Sequence, residues 1–408
     1  MTEISSHFAP RNSVSGSVHR CVRMIERRVC VIAAVVAAMC VFASSPAVAC
    51  PFCNAVSQTM RQEMQSMDAV VIAVYEGGPN TRNDDSGETL MKVTDVLFGE
   101  KWIKPGQKVV APYFGDVQPG RQFMLSGVDP PSMLWSSVPL TETSRGYVKR
   151  VADLSGETAT QRLKFYYAYL NSDERMLSRD AYNEFAVTPY EVIEQLRDVI
   201  KHDDLVRWLE DPELPTDRRR LYLTLLGVVG NRDDLPMLER MLRSEQKSIR
   251  AALDALVGSY LTLAGEKGLP LVEELFLTNP RTSYTDTYAA VMALRFHGTE
   301  ADVIPRSRLT QSLHHLLTRP ELADLIIPDL ARWGDWSQIQ TMKKLFLESD
   351  EDNTWVRVPV INYLRACPKP EAEKVLAELT ELDPDSVRRA NTYFSIPVPA
   401  RDVPGENS

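Results

Sequence analysis

The sequence predicts an α+β chain of more than one domain, with a small N-terminal antiparallel β-barrel or sandwich followed by a C-terminal α-helical solenoid. Three observations predict it. Short β-type runs punctuated by Gly and Pro fill residues 68–128. From residue 218 to 382 an apolar helix, a turn and a second helix recur. Finally, 408 residues with 44% hydrophobic and 25% charged side chains match ordinary globular usage, which excludes a wholly disordered or collagenous chain.

The chain opens on an export leader, residues 1–49. Residues 29–43 (VCVIAAVVAAMCVFA) are uncharged and apolar, preceded by Arg23, Arg27 and Arg28 and followed by the A-x-A site Ala47-Val48-Ala49. The run is shorter than the roughly 20 residues that span a bilayer, so cleavage after Ala49 is expected and the mature chain starts at Cys50. Met24 gives a leader of ordinary size and is the expected initiator. Cys50 also stands where a lipoprotein carries its lipid anchor, although Ala47 replaces the usual Leu three residues before it. No other stretch approaches spanning length, so no membrane span is expected, and the expected address is secreted, or periplasmic and cell-envelope.

Cleavage removes Cys21, Cys30 and Cys40 and leaves Cys50, Cys53 and Cys367. An odd count implies one pair and one leftover thiol, so no disulfide framework holds the fold. Cys50-Pro51-Phe52-Cys53 admits several readings. A local disulfide at a packed terminus is the simplest. A thioredoxin-type redox pair needs a preceding strand, which is missing, and haem attachment needs His where Asn54 stands. A zinc site lacks its second ligand pair. Residues 54–66 read as a helix, and a thiol at a helix N-terminus is acidified, which keeps the redox reading open.

The β module is expected over 50–148. Its strands are DAVVIAVY at 68–75, TLMKVTDVLFG at 89–99, KPGQKVVAPYF at 104–114 and RQFMLSGV at 121–128, with the polar loop 76–88 after the first. The N-terminal cysteine pair, the helix, DAVVIAV, MKVTDVLFG with Gly99, the Lys104-Pro105-Gly106 turn and Gly120-Arg121-Gln122-Phe123-Met124-Leu125 together resemble the netrin-like or tissue-inhibitor-of-metalloproteinase-like OB module. That resemblance implies an OB-like barrel over about a quarter of the chain. It also implies that Cys50 is the residue that would chelate a metalloproteinase zinc, with Cys-x-x-Cys here in place of the family's Cys-x-Cys.

A helical transition follows over 149–215. LKFYYAYL at 163–170 is aromatic-rich and is expected to pack between domains, and Pro189 opens a second helical stretch to Leu209. In the solenoid, over 216–390, Leu226, Leu256, Leu294, Leu330 and Leu364 fall at equivalent positions, with steps of 30, 38, 36 and 34. Such a period means stacked helical pairs. The units resemble HEAT-like repeats, which implies a binding scaffold. Leu225, Leu238, Leu242, Leu275, Phe276, Leu345, Phe346, Leu376 and Leu379 read as core. Trp333 and Trp336, around the Gly334-Asp335 turn, are candidate partner-binding anchors, with internal packing as the alternative. The tail 391–408 is proline-rich and expected to be disordered.

No GxSxG, HExxH, Walker loop or GxGxxG occurs, so no catalytic residue, metal ligand or cofactor is assigned. His202 has acidic neighbours, His297 stands near a helix end where its cation would meet the dipole, and the adjacent His314 and His315 diverge by about 100° on a helix. Lys and Arg number 46 against 55 Asp and Glu, a net charge of −9, which does not suit a nucleic-acid phosphate backbone. The expected function is therefore an exported non-enzymatic interaction or scaffold protein that binds a protein partner. The alternatives are an envelope thiol-disulfide protein using Cys50 and Cys53, and a metalloproteinase inhibitor acting through Cys50.

Overall fold

A computed structural model describes residues 50–53, 57–78, 81–83, 85–350 and 353–393. The leader with Met24 and the Ala47-Val48-Ala49 site, and the tail beyond residue 393, lie outside the described residues. The helix Pro384–Tyr393 runs three residues into the segment expected as tail.

Five antiparallel strands form one sheet in the order β3-β2-β1-β4-β5: β1 Ala69–Val74, β2 Glu88–Phe98, β3 Lys108–Pro112, β4 Gln122–Val128 and β5 Leu134–Leu140. The ladder between β1 and β2 slips at Val70/Val71 and at Ile72/Ala73. Such irregularities bend and twist a strand pair, and the sheet is curled into a half-barrel. Its two edges approach closely enough for the Ser137 hydroxyl on β5 to donate to the Pro112 carbonyl on β3.

The alternation of side chains along β1 explains its unbroken apolar sequence. Ala69, Val71 and Ala73 face the inside of the curl, with Met91, Val93, Val109, Ala111, Phe123 and Leu125. Val70 and Ile72 point the other way, into a core shared with the helices that reaches from Cys50 to Ala390. A strand buried on both faces needs no polar alternation. The fifth strand, LWSSVPL, escapes sequence reading because this edge strand is exposed or half-buried along most of its length and carries two serines and a proline.

Helix Glu142–Asp153 follows the sheet, and its Lys149 ammonium pairs with Asp95 on β2 at 2.5 Å. The aromatic segment packs between helices. Tyr147 lies 5.2 Å from Phe165 and 4.7 Å from Tyr169, ring to ring, which ties helix Glu142–Asp153 to helix Ala159–Tyr167 and the turn after it. The stretch after Pro189 is two helices, Tyr190–Glu194 and His202–Leu209, joined by turns.

The repeating segments are all helical. Their helices include Thr216–Val229 with Leu235–Leu242, Leu253–Ala264, Tyr284–Thr299 with Arg306–His314, Ile327–Arg332 with Ile339–Glu348, and Thr354–Ala366 with Pro370–Leu382. Leu226, Leu256, Leu294, Leu330 and Leu364 are all buried. The expected core leucines and phenylalanines are buried as well, except Leu275 and Leu376, which are half-buried against the same core. Among the described residues no helix is long and apolar enough to cross a membrane.

Candidate functional site

The Cys-Pro-Phe-Cys segment closes on itself. A disulfide joins Cys50 and Cys53, whose Cα atoms are 5.2 Å apart, and the Cys53 amide donates to the Cys50 carbonyl at 3.1 Å. Both cysteines are buried, at 3% and 7% exposure. Helix Met60–Ser66 starts only at Met60, where Thr59 and Gln62 form a reciprocal N-cap, whereas the sequence suggested a helix from 54. The cysteines are therefore not at the helix N-terminus, and the dipole that would acidify a thiol does not act on them. Cys367 is free and buried.

Phe52 is what the loop delivers. Its ring stands 5.0 Å from Phe296, edge to face, and lies directly over Gly258, where a Cβ would sit 2.6 Å from the Phe52 ring. Gly258 interrupts an otherwise bulky helix, Leu253–Ala264, at the point where this aromatic wedge enters. Tyr190 also packs edge-on with Phe296, at 5.0 Å. Beneath them His297 is buried, and its Nε2 meets the Gly258 carbonyl at 3.1 Å. Burial pushes the His297 pKa down to about 4, so the imidazole is neutral at pH 7. The reading of His297 as a cation on a helix dipole is thus corrected: desolvation outweighs the dipole.

The other candidates sit in packed settings. Trp333 covers Gly298 on one side and has the Arg306 guanidinium 5.9 Å from its ring, while Arg306 itself donates to the Gly298 carbonyl. Trp336 packs edge-on against Tyr363 at 5.1 Å. Both indoles are half-buried against the helical core. His202 bridges to Asp234 at 2.8 Å and to Asp203 at 3.1 Å, and these carboxylates raise its pKa. His314 meets Asp335 at 2.5 Å, and Asp335 also accepts from the Ser337 hydroxyl. That serine bonds the carboxylate and not the imidazole, so the trio is not arranged as a nucleophile with its base. Among the described residues no group of three or more His, Cys, Asp or Glu is placed to hold a metal ion.

The arrangement that sequence reading missed is an open cleft of about 850 Å³. One wall is residues 57–63, the second is helix Arg175–Ala186, and the third is the start of helix Thr216–Val229. Asp180, at 6% exposure, forms its floor. One Asp180 oxygen accepts from the Met60 amide at 2.6 Å and the other from the Tyr147 hydroxyl at 2.7 Å. Burial pushes the Asp180 pKa up to about 6, against those two hydrogen bonds, which hold it down. Burial also pushes the Tyr147 phenol well above its ordinary value, and the Asp180 charge adds to the effect. One turn further along the helix, buried Glu184 pairs with Arg61 at 3.2 Å, and Asn183 donates to the Ser57 hydroxyl at 3.0 Å. These bonds fasten the N-terminal segment to the helix.

Above that floor stand three guanidinium groups, Arg175, Arg179 and Arg218. Arg218 donates to the Ser178 hydroxyl. Arg175 and Arg179 are exposed, one helical turn apart, and among the described residues neither makes an ion pair or side-chain hydrogen bond. The arrangement sets exposed cations over a hydrogen-bonded floor. The chain matches no protein-family model, no curated protein and no solved structure.

Proposed function

We propose that this is an exported, non-enzymatic interaction protein whose cleft over Asp180 holds a segment of a protein partner. The cleft carries the reading, because it is large and open and two of its guanidinium groups, Arg175 and Arg179, make no ion pair or side-chain hydrogen bond among the described residues. In this reading the helices form a HEAT-like solenoid. Successive contacts support it: Thr216–Val229 packs on Leu253–Ala264, which packs on Tyr284–Thr299, and Thr354–Ala366 packs between Ile327–Arg332 and Pro384–Tyr393. The β region is read as a netrin-like OB barrel, supported by the five curled strands and the Ser137–Pro112 bond that draws β3 and β5 together. Buried, mutually bonded sulfurs offer little to the redox and metalloproteinase-inhibitor alternatives.

A photo-crosslinking side chain at Met176, on the cleft wall, tests the reading in the native envelope. The expected result is one crosslinked protein that binds the purified full chain at micromolar Kd or tighter. Insulin reduction that disappears in Cys50→Ser/Cys53→Ser, with no such crosslink, would replace it with the redox reading.

A further inference from the structure

We propose that the occupant of the cleft is an acidic peptide segment, gripped by Arg175, Arg179 and Arg218. The inference rests on the interaction reading above and names the chemistry of its ligand. Two like charges one turn apart on a helix repel, yet Arg175 and Arg179 take no counter-ion from Glu63 or Asp217 in the same cleft. Among the described residues neither has a counter-ion, so both guanidinium groups are available to a ligand. Guanidinium groups suit that task, since each offers a fork of donors matched to a carboxylate.

The backbone adds to the field. Helices Arg175–Ala186 and Thr216–Val229, of 12 and 14 residues, both begin at the cleft, and neither has a side-chain hydrogen bond at its N-cap. The Glu174 carboxylate, which stands at the first of these ends, is turned to the Thr141 hydroxyl instead. At the second end the Asp217 carboxylate takes the Arg218 amide, so it is the open first turn of helix Arg175–Ala186 that joins the arginines.

Size and lining select a peptide over a small anion. A volume of about 850 Å³ far exceeds one phosphate. Met60, Met176 and Pro215 provide apolar contact between the charges, and Gln58 carries an amide suited to a peptide backbone. The net charge of −9 disfavours acidic polymers over the surface as a whole, so binding one calls for a local cluster of cations.

The test is fluorescence anisotropy on the full chain with labelled octaglutamate, octaglutamine and octalysine. Octaglutamate is expected to bind at least tenfold tighter than octaglutamine, and Arg175→Glu/Arg179→Glu is expected to weaken it at least tenfold. Lys374→Glu, an exposed change on another helix, is expected to leave it unchanged. Raising the salt should weaken octaglutamate in the wild type but not in the double variant. Equal binding of octaglutamate and octaglutamine, or an unaltered Kd in the double variant, overturns the proposal. If octaglutamate fails while the Met176 crosslink persists, the ligand class is wrong and the interaction reading stands. Competition by inorganic phosphate as strong as by octaglutamate would assign the site to a small anion and overturn the peptide.

Discussion

The N-terminal segment makes two neighbouring attachments to the helices, and they are built on opposite principles. At the Cys50–Cys53 loop an aromatic wedge, Phe52, is closed into an apolar corner with Gly258, Phe296, Tyr190 and the neutral His297. A few residues on, at Ser57 and Met60, the same segment is held by a polar network around Asp180, Asn183 and Glu184, under a cleft lined with cations. The corner is finished as packing, its rings seated on one another and on Gly258, although His297 Nδ1 is buried without a hydrogen-bond partner. The cleft is not, since its outer arginines are unmatched. The difference is one of saturation: the corner fastens residues 50–53 to the helices by apolar packing, and the cleft beside it keeps two arginines without ion pairs among the described residues.

Phe52→Ala breaks the comparison most directly. Removing a ring that is 5% exposed should cost about 3–5 kcal/mol, because the glycine beneath it cannot refill the space. Chemical denaturation measures this. Octaglutamate binding, measured well below the new midpoint, should weaken too, since residues 57–63 form a cleft wall. If stability falls but binding is unchanged, the anchor and the wall are independent.

The two regions also respond to pH with opposite sign. The His297 pKa is depressed from 6.5 to about 4, so between those values the unfolded chain binds the extra proton and stability rises with pH. The Asp180 pKa is raised from 3.8 to about 6, so over that window the folded chain binds the extra proton and stability falls as pH rises. Each shift corresponds to roughly 3 kcal/mol, and the two offset one another across about pH 4 to 6. Single variants should expose the hidden slopes. Asp180→Asn should make stability climb over that range, and His297→Gln should make it decline. Urea midpoints at several pH values decide it, and parallel profiles in both variants would show that neither group titrates as described.

A smaller effect is expected from the disulfide. Cys50→Ser/Cys53→Ser opens a loop of four residues, and closing so short a loop is worth about 2 kcal/mol on the chain-entropy account. A loss near that of Phe52→Ala would mean that the bond presents the aromatic ring and does more than restrict the unfolded chain.

Much of the fold was legible because it depends on local periodicity. Apolar, β-branched runs between Gly and Pro turns mark four of the five strands, two of them alternating and two buried throughout, and the leucines that recur along the helical half are buried. The cleft was not legible, because Ser57, Asp180 and Arg218 are far apart in sequence and meet only through tertiary packing. One local signal was available. In helix Arg175–Ala186, Asp180, Asn183 and Glu184 sit beside the apolar row Leu177, Ala181 and Phe185, and polar groups so close to a core face need partners. The same helix carries Arg175 and Arg179 at a spacing of four without an acid between them on that row. The Trp333 and Trp336 pair illustrates the reverse: a conspicuous sequence feature that the fold uses for packing around Gly298 and Tyr363.

That arginine pair yields the smallest effect and the sharpest contrast with the corner. Neither guanidinium makes an ion pair within the described residues, and like charges one turn apart destabilise a helix, so Arg179→Gln should stabilise the protein by about 0.2–0.5 kcal/mol. A structural arginine would behave otherwise: replacing Arg357, which is buried against Asp383 at 2.6 Å, leaves a carboxylate without its partner. A cleft residue whose removal helps folding while weakening octaglutamate is kept against the interest of stability, as expected where a fold carries a binding site. Thermal melts of Arg179→Gln beside the anisotropy titration read both quantities from one preparation. A variant that loses stability would place Arg179 among the anchors of the corner and remove it from the cleft's ligands.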